Sequence, residues 1–363
     1  NLNTSNISII GWDVGGAHLK AVALNAEGEI LQVLQLSCPL WRGLDQLETA
    51  IQAVLTALRV KSNAVQHVVT MTGELVDLFQ NRHTGVIEIA TKLTNLLGRD
   101  ISEVQFYAAN NGFVPLAEVS ALTADIASVN WHASASALAM HVQEALLVDI
   151  GSTTTDIIAI QSGKVQTKTT SDAQRMRADS LVYTGVVRTP VMALANKITF
   201  EGAETNVAAE HFATMADVYR LTGELAKDAD MAETADGKDK SVLASARRLA
   251  RMIGHDVEDR SMETWKDLAV SCKALQVAQI KAAVLKHLKP HVPIIGAGAG
   301  SFLVKAIADD LGRTYLPVAS ILEKHFKSNL ALEVCFPAYA VASLFLSQNK
   351  YQYQLKHSQQ RHA

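Results

Sequence analysis

The feature that most constrains this chain is a short pattern that occurs twice. Residues 11–20 read GWDVGGAHLK, residues 147–156 read LVDIGSTTTD, and an apolar run follows each copy. In both copies an apolar strand ends at an aspartate, Asp13 or Asp149, and a turn of small residues leads to a second strand. Each copy therefore predicts a β-hairpin with a carboxylate at its mouth. Two such hairpins facing each other can hold a phosphate chain and its metal ion.

The order of the predicted elements is duplicated as well. Strands at 7–11, 21–24 and 30–36 form a meander, which a helix over 43–58 and a strand over 65–71 follow. A second meander begins with the second copy of the pattern. Because the order of strands and helices starts twice, we expect an α/β protein of two related domains with a central cleft.

The second half contains a long segment of different composition. Residues 189–290 are interpreted as a helical insertion, with helices over 208–225, 242–253 and 263–288. The polar stretch 226–240 between the first two helices is expected to be a mobile loop, because its charges favour solvent.

These features predict the domain limits. The first domain takes residues 1–125 and is completed by a C-terminal helix over 330–348. The second domain consists of 126–188 and 291–329. Residues 350–363 are expected to form a disordered tail.

Composition excludes several classes of function. The chain has 363 residues, 48% of them hydrophobic and 19% charged, and a net charge of −3, so it lacks the electrostatic footprint of a nucleic-acid-binding protein. Its three cysteines are far apart in sequence, which indicates reduced thiols rather than disulfides or a zinc site. The chain has a polar start and lacks an apolar run of about 18–20 residues, so we expect a cytoplasmic protein without a membrane segment.

The two turns carry residue types that suit phosphate. Glycines at 15, 16 and 151 allow a backbone N–H to approach a phosphate oxygen without a Cβ in the way. The row of hydroxyl residues at 152–155 adds further donors. Lys20 either points at the phosphate or lies in solvent at a strand end. A single copy of the pattern is usually just a turn, and threonines are common in strands for their β-propensity alone. The prediction of phosphate binding therefore depends on the pattern occurring twice.

The aspartates of the turns suit a metal ion. Asp13 and Asp149 are predicted to bind Mg²⁺, which takes few protein oxygens and completes its shell with water and phosphate. Asp156 binds metal or water in one interpretation and sits in a structural hydrogen bond in the other. Arg188 is a candidate for binding a diphosphate or a carboxylate, with Arg175 and Arg177 as weaker candidates. The alternative for all three arginines is an ordinary surface position.

A third motif, GAGAGS at 296–301, follows an apolar strand and precedes a predicted helix. A dinucleotide-binding turn is the simplest alternative, but Ser301 stands where the third glycine would be and no acidic residue follows at the expected distance. Gly296, Gly298 and Gly300 better suit a site where the backbone passes close to a nucleotide or another flat group.

These three motifs in this order resemble those of the sugar kinase/Hsp70/actin superfamily, over about residues 7–345. The resemblance implies duplicated ribonuclease H-like domains of the actin-like ATPase fold, and the hydantoinase/oxoprolinase-related group is the nearest branch. A narrower resemblance rests on 180–191, 206–220 and 234–238. These segments are similar to a family linked to tetrahydromethanopterin-dependent one-carbon transfer, whose archaeal members are methanofuran biosynthesis enzymes.

That resemblance implies a transferase. The family reaction joins an aminomethylfuran-methyl diphosphate to the phenol of glutamyltyramine and releases diphosphate, with Mg²⁺ assisting. The superfamily motifs leave one alternative, an ATP-dependent small-molecule kinase or amide hydrolase. A third hypothesis is a non-catalytic nucleotide-sensing or assembly protein of a one-carbon pathway. Whether the cleft holds ATP or ADP, or a substrate diphosphate, stays open. The expected partners are small molecules, with no nucleic acid and no membrane, and the apolar insertion helices are compatible with a homodimer.

The predicted site combines the turns with a few further residues. Glu74 is the candidate general base, its alternative role being to cap the next helix, and His18 is a candidate substrate contact. The assigned residues are Glu74, Asp13 and Asp149 for catalysis; Gly15, Gly16, Lys20, Gly151, Ser152, Thr153 and Thr154 for phosphate; His18, Arg188, Gly296, Gly298 and Gly300 for substrate; and Asp13, Asp149 and Asp156 for metal.

The charges of the insertion suggest further sites. Asp228, Asp230, Asp236 and Asp239 are interpreted as part of a solvated loop, with a second metal site or a lid as alternatives. Arginines 247, 248 and 251 are expected on the solvated side of their helix.

Overall fold

The computed structural model describes residues 6–98, 104–167, 169–322 and 330–360. The strands are β1 (Ile9–Val14), β2 (His18–Leu24), β3 (Ile30–Ser37), β4 (Gln66–Met71), β5 (Val104–Tyr107), β6 (Phe113–Val114), β7 (Glu144–Ile150), β8 (Thr155–Gln161), β9 (Lys164–Gln166), β10 (Leu181–Val182), β11 (Lys197–Phe200), β12 (Ala203–Asn206), β13 (Ile294–Ala297) and β14 (Tyr315–Pro317). The α-helices are α1 (Asp45–Leu58), α2 (Arg82–Leu97), α3 (Leu116–Val119), α4 (Thr123–Ile126), α5 (Asn130–Ala139), α6 (Asp172–Arg177), α7 (Met215–Thr222), α8 (Val242–Arg251), α9 (Met262–His287), α10 (Ser301–Asp310), α11 (Val318–Ile321), α12 (Leu330–Val334) and α13 (Phe336–Gln360).

Unit 1 consists of the described residues of Asn1–Glu144, Ile160–Gln174 and Ala319–Ala363. Its sheet has the order β3-β2-β1-β4-β5-β6, with β1 antiparallel to β2 and parallel to β4. Alternate residues of β1 face opposite sides of the sheet. Trp12 and the β1 residues two positions before and after it pack in the core with side chains of α1 and α2. Gly11 lies against α13, where a Cβ would come within 1.9 Å of the carbonyl oxygen of Ala338.

Unit 2 consists of Ala145–Ala159 and the described residues of Arg175–Val318. Its sheet has the order β10-β8-β7-β13-β14. Strand β13 is parallel to β7 and to β14. The apolar side chains of β7 form one core with those of α7, α9 and α10. In both sheets the central strand, β1 or β7, ends at the repeated aspartate turn, which confirms the predicted duplicated α/β architecture.

The insertion is less helical than predicted. Strands β11 and β12 form a hairpin around Glu201 and Gly202, both of which have positive φ (48° and 77°), as the tight turns of two-residue hairpins require. The helix expected over 208–225 is also too long. Helix α7 begins only after Thr214, because Thr214 and Asp217 form a capping box there.

The long helix α9 closely matches its prediction. By length and composition alone it could cross a membrane. One of its faces carries Trp265, Leu268, Cys272 and Ile280, which are buried in the core of unit 2.

The ends of the predicted domains differ from the observed units. Residues 126–144, expected to open the second domain, belong to unit 1, as do 160–174. The C-terminal helix is interrupted near Cys335, giving α12 and α13. Helix α13 is assigned to Gln360; the disordered tail expected over 350–363 stays a prediction, and 361–363 lie outside the described residues.

Candidate functional site

The first turn closes as the pattern predicts. The amide of Gly15 donates a 2.9 Å hydrogen bond to the carbonyl oxygen of His18. The loop after β4 passes close to this turn, because the amide of Thr72 donates to the carbonyl oxygen of Val14. A Cβ on Gly16 would lie 2.7 Å from the side chain of Val76, so this position has little room for a larger residue.

Asp13 is a buried carboxylate near this turn. It lies opposite Lys20 in the β1–β2 register, and its Oδ2 is 3.9 Å from the Lys20 Nζ. Burial raises the pKa of Asp13, while the charge of Lys20 and a hydrogen bond with Asn130 oppose the shift. Its Oδ1 is buried without a hydrogen-bond partner among the described residues. An unsatisfied carboxylate oxygen of this kind fits the donor set that Mg²⁺ requires.

Glu74 follows β4, the parallel neighbour of β1, and is also buried. The Ser128 hydroxyl donates a hydrogen bond to its Oε1, and its Oε2 has no partner in the described part of the chain. Burial raises the pKa of Glu74 to about 7, although Ser128 and the charge of Arg82 oppose this shift. A carboxyl group with a pKa near neutrality can accept a proton at physiological pH.

The alternative role of Glu74 as a helix cap is wrong. Helix α2 begins at Arg82, and its N-cap is Asn81, whose side chain accepts a hydrogen bond from the amide of Thr84. Ser128, the partner of Glu74, has a positive φ of 53°, which is uncommon for a residue other than glycine. The backbone thus adopts an unfavourable conformation at the residue that binds this carboxylate.

His18, the predicted substrate contact, begins β2 and is buried. Its role stays a prediction.

The second turn repeats the first turn's backbone geometry. The amide of Gly151 donates to the carbonyl oxygen of Thr154 at 2.9 Å, the same bond one repeat later. The amide of Gly300 donates to the carbonyl oxygen of Ile150, as Thr72 does to Val14 in unit 1. In both repeats, the loop that follows the parallel neighbour of the central strand therefore donates a hydrogen bond to the residue after the repeated aspartate.

A loop just before the insertion packs against the second turn. The amide of Val186 donates to the carbonyl oxygen of Gly151, and the amide of Arg188 donates to that of Ser152. A Cβ on Gly185 would lie 2.5 Å from the backbone of Ser152. The Arg188 side chain is exposed, and the Ser152 hydroxyl is buried without a partner in the described ranges. Arg188 is thus fixed through its backbone at the predicted phosphate turn.

The glycines of the third motif have a packing role. Gly298 has a φ of 83°, and a Cβ there would lie 2.4 Å from Asp149 Oδ1 and 2.3 Å from the carbonyl oxygen of Ile150. A Cβ on Gly296 would meet the ring of Tyr315 at 2.6 Å. Gly298 and Gly300 therefore lie against the end of β7, and substrate binding by these glycines stays a prediction.

Asp156 and Arg175 bind each other. Arg175 Nη2 donates to Asp156 Oδ1 at 2.7 Å and to the carbonyl oxygen of Ser180 at 3.1 Å. This supports the structural interpretation of Asp156 over metal binding, and it also occupies the guanidinium of Arg175. Arg177 is exposed. Across the described ranges, no group of three or more His, Cys, Asp and Glu side chains is arranged to hold a metal ion.

The charges of the insertion form a buried network that the sequence did not reveal. Arg248, expected in solvent, is 0% exposed and donates to Asp217 and Asp236. Arg220 binds Asp217 and Asp230. The stretch 226–240 is therefore tethered by ion pairs, and the interpretation of it as a freely solvated loop is wrong.

Comparisons with known proteins find relatives that align with much of the chain. The chain is 29% identical over 345 residues to (4-{4-[2-(gamma-L-glutamylamino)ethyl]phenoxymethyl}furan-2-yl)methanamine synthase from Methanocaldococcus jannaschii, which covers 94% of this chain and 98% of the relative. The synthase of the same name from Methanococcus vannielii is 29% identical over 202 residues, covering 55% of this chain and 89% of the relative.

Among solved structures, the chain resembles nucleotide-free acetone carboxylase, described in a study of ATP-dependent acetone carboxylation. The TM-score is 0.57 at 10% identity, covering 93% of this chain and 70% of that chain, so the likeness concerns the fold alone. The hydantoinase/oxoprolinase family profile matches residues 66–344, well over half of the chain. The chain belongs to the hydantoinase/oxoprolinase family.

Proposed function

We propose that this protein is a transferase of methanofuran-type cofactor biosynthesis. It joins the phenol of a tyramine or glutamyltyramine to an aminomethylfuran-methyl diphosphate and releases diphosphate. The observation that carries this proposal is the alignment with the Methanocaldococcus jannaschii synthase, which spans 94% of this chain and 98% of that enzyme. Small-molecule substrates fit this activity, and the cytoplasmic location remains a prediction.

The reaction needs three events. The phenol oxygen forms a new C–O bond to the methylene carbon of the furan, and the C–O bond to diphosphate breaks with its electron pair leaving on the diphosphate. The phenol proton passes to a base. The protein must therefore supply a proton acceptor and groups that stabilise the negative charge of the leaving diphosphate.

Glu74 is the proposed proton acceptor. Its pKa of about 7 leaves a substantial fraction ionised at neutral pH, while its basicity exceeds that of an ordinary glutamate. The Ser128 hydroxyl binds one carboxylate oxygen and leaves the other, Oε2, for a proton. This arrangement orients the carboxylate as a general base requires.

The two turns are the proposed phosphate contacts. In unit 1 these are Gly15, Gly16 and the ammonium group of Lys20. In unit 2 they are the residues 151–154 together with Arg188, whose backbone is bound to Ser152. Amides, hydroxyls and cations of this kind stabilise the charge that develops on the leaving group.

Asp13 and Asp149 are the carboxylates proposed for Mg²⁺. The unpaired Oδ1 of Asp13 supports this assignment, whereas the pairing of Asp156 with Arg175 argues against including Asp156. When bound, Mg²⁺ would neutralise negative charge on the diphosphate.

The test is a turnover assay with the purified chain, the furan diphosphate, the phenolic acceptor and Mg²⁺. We expect the ether product by mass spectrometry and one released diphosphate per ether. Omitting the acceptor is the control, because simple hydrolysis of the diphosphate would continue without it. Hydrolysis of ATP, or phosphoryl transfer from it, without ether formation would overturn the proposal in favour of an ATP-dependent kinase or hydrolase.

A further inference from the structure

Ser128 is a strained residue that contacts the proposed proton acceptor. It is buried, its φ is 53°, and its hydroxyl donates a hydrogen bond to Oε1 of the buried Glu74. A positive φ costs free energy for a residue that has a Cβ. Among the described residues other than glycine that have a positive φ, Ser128 alone is both buried and polar. The backbone strain therefore coincides with a polar contact in the candidate site.

Steric considerations alone would favour glycine at this position. Glycine adopts a positive φ without a Cβ penalty, and Gly163 and Gly202 do so in turns of this chain. A serine at the same φ retains the strain and adds a hydroxyl group. The feature that serine supplies here is therefore the hydroxyl that binds Glu74.

The backbone around Ser128 is fixed on both sides. Ala127 forms a parallel bridge with Met71, the last residue of β4, and Glu74 lies in the loop that follows this strand. On the other side, the indole Nε1 of the buried Trp131 donates a 2.8 Å hydrogen bond to the carbonyl oxygen of Ser128. Strained conformations persist where surrounding contacts hold them in this way.

The same segment also contacts the second buried carboxylate of unit 1. The Asn130 side-chain oxygen accepts a 2.8 Å hydrogen bond from the amide of Trp131, and the Asn130 side chain forms a hydrogen bond with Asp13. Residues 128–130 therefore connect the proposed proton acceptor to a carboxylate proposed for Mg²⁺.

Helix α2 and α6 supply the other surroundings of Glu74. A Cβ on Gly85 would lie 2.9 Å from the Cα and Cβ of Glu74, so α2 packs directly against this residue. The charged groups that act on Glu74 are Arg82 of α2 and Asp172 of α6, which bind each other at 2.8 Å. Burial raises the pKa of Glu74, and the Ser128 hydroxyl opposes this rise more strongly than Arg82 does.

We propose that Ser128 is a positioning residue, kept in a strained backbone conformation so that its hydroxyl orients the Glu74 carboxylate with Oε2 available to the substrate. This inference rests on the proposed function, in which Glu74 accepts the phenol proton. Ser128 takes no proton itself. The phenol proton passes to Oε2 while the Ser128 hydroxyl stays bound to Oε1.

A glycine variant separates the hydroxyl from the backbone conformation. Ser128→Gly removes the hydroxyl and leaves a residue that adopts the same φ without strain. The matched control is Ser162→Gly, because Ser162 also has a φ of 53° but is exposed in the turn between β8 and β9. We expect Ser128→Gly to lower kcat by roughly 10- to 100-fold, since a reacting group loses its orientation. Ser162→Gly should leave kcat unchanged, and thermal unfolding should show that both variants fold.

The pH profile distinguishes positioning from a merely structural role. Because the hydroxyl favours the ionised carboxylate, its loss should raise the pKa of Glu74 further. Glu74 must be ionised to accept a proton, so the acid limb of kcat/KM for ether formation should move to higher pH in Ser128→Gly. Partial misfolding would lower the rate at every pH and leave the limb in place.

Carbon-13 NMR of the chain labelled at the glutamate Cδ measures the same shift without turnover. The Glu74 signal is the one missing from Glu74→Gln, and its titration midpoint should move to higher pH in Ser128→Gly but not in Ser162→Gly. If the chain forms no ether, the proposed function fails. An upward shift of the midpoint would then still support the orienting contact, and an unchanged midpoint would overturn it.

Three results would overturn the proposal. The first is a folded Ser128→Gly chain whose Glu74 midpoint equals that of wild type. The second is a kcat equal to that of wild type. The third is a midpoint that moves while the acid limb of ether formation stays in place, because Glu74 would then not be the group that accepts the phenol proton.

Discussion

Both units bury carboxylates, but the carboxylates differ in their partners. The difference distinguishes acids that can take part in a reaction from acids that stabilise the fold. In unit 1, Asp13 and Glu74 each have one oxygen without a hydrogen-bond partner in the described chain, and burial raises both pKa values. In unit 2, Asp217 is bound by two arginines, one of which is the fully buried Arg248. Buried acids with an unsatisfied oxygen are costly and typical of functional sites, whereas acids held by buried arginines are typical of a structural network.

The repeated turns of the two units also differ in how their charged side chains are paired. Their backbones share two hydrogen bonds at matching positions, yet Lys20 of the first copy aligns with Asp156 of the second. Lys20 lies loosely beside Asp13 at 3.9 Å, while Asp156 is bound by Arg175 at 2.7 Å. Duplicated backbone geometry therefore does not imply duplicated chemistry. We therefore expect substitution of Asp13 or Glu74 in unit 1 to reduce turnover, and substitution of the paired acids Asp156 or Asp217 in unit 2 to reduce stability.

The largest effect is expected from Glu74→Gln. Loss of a general base should lower kcat by roughly 10²–10⁴-fold, while thermal unfolding should show a chain at least as stable as wild type at pH 8. Steady-state measurement of ether formation checks this result. Glu118→Gln, in α3 of the same unit, is a control for charge loss. An unchanged kcat would remove Glu74 from the mechanism.

Arg248→Met should lower the stability of the fold, in contrast to Glu74→Gln, which should lower kcat. It leaves the buried Asp217 without one of its partners, and breaking a buried ion pair typically costs about 3–5 kcal/mol. Urea unfolding should show this loss, while Arg251→Met, at an exposed position of the same helix, should change the free energy of unfolding by less than about 0.5 kcal/mol. Equal effects of the two variants would mean that the network contributes little.

The pH dependence of stability provides a third comparison. The pKa of Glu74 is about 7 in the folded chain, against a reference value of 4.5. The folded state therefore binds this proton more tightly, so the carboxyl group's contribution is fully present below pH 4.5 and is lost as pH rises through about 7. The loss amounts to about 3 kcal/mol.

Urea titrations between pH 4.5 and 8 measure this contribution as the difference between wild type and Glu74→Gln. The wild type should lose stability relative to the variant across that window. A constant difference would show that Glu74 has an ordinary pKa.

A smaller contrast is expected between Asp13, which is proposed for Mg²⁺, and Asp156, which is paired with Arg175. Asp156→Asn weakens the charged hydrogen bond that holds the buried Arg175, so we expect a loss of about 1–3 kcal/mol. Asp13→Asn removes a desolvated charge and should cost less. Unfolding curves without metal measure both, and a larger loss for Asp13→Asn would reverse the assignment of the structural role to unit 2.

The sequence predicted the features that depend on local pattern. Each hairpin is encoded within about ten residues, so the repeat located both turns and their aspartates. The β11–β12 hairpin had a local signal as well, since Glu201-Gly202 between two short strands favours a tight turn, but the helical composition around it concealed that signal.

Features that depend on tertiary contacts could not be predicted. Arg248 looks like a residue on the polar side of an amphipathic helix, and only the packing of α7 and the 226–240 stretch buries it. Asp156 is paired by a residue of a later helix. The raised pKa of Glu74 depends on burial in the folded unit, and the hydrogen bond from Ser128, which is distant in sequence, opposes the rise.

A thermal-shift titration with Mg²⁺ and, separately, diphosphate, ADP or ATP tests most directly whether the protein binds a diphosphate in preference to a nucleotide triphosphate. A ligand at 100 times its dissociation constant stabilises the folded chain by roughly 2.7 kcal/mol, which is easily measured. We expect that diphosphate with Mg²⁺ raises the Tm of wild type, that Asp13→Asn abolishes the shift, and that ATP has less effect. Stabilisation by ATP that is lost in Asp13→Asn, with none by diphosphate, would contradict this expectation.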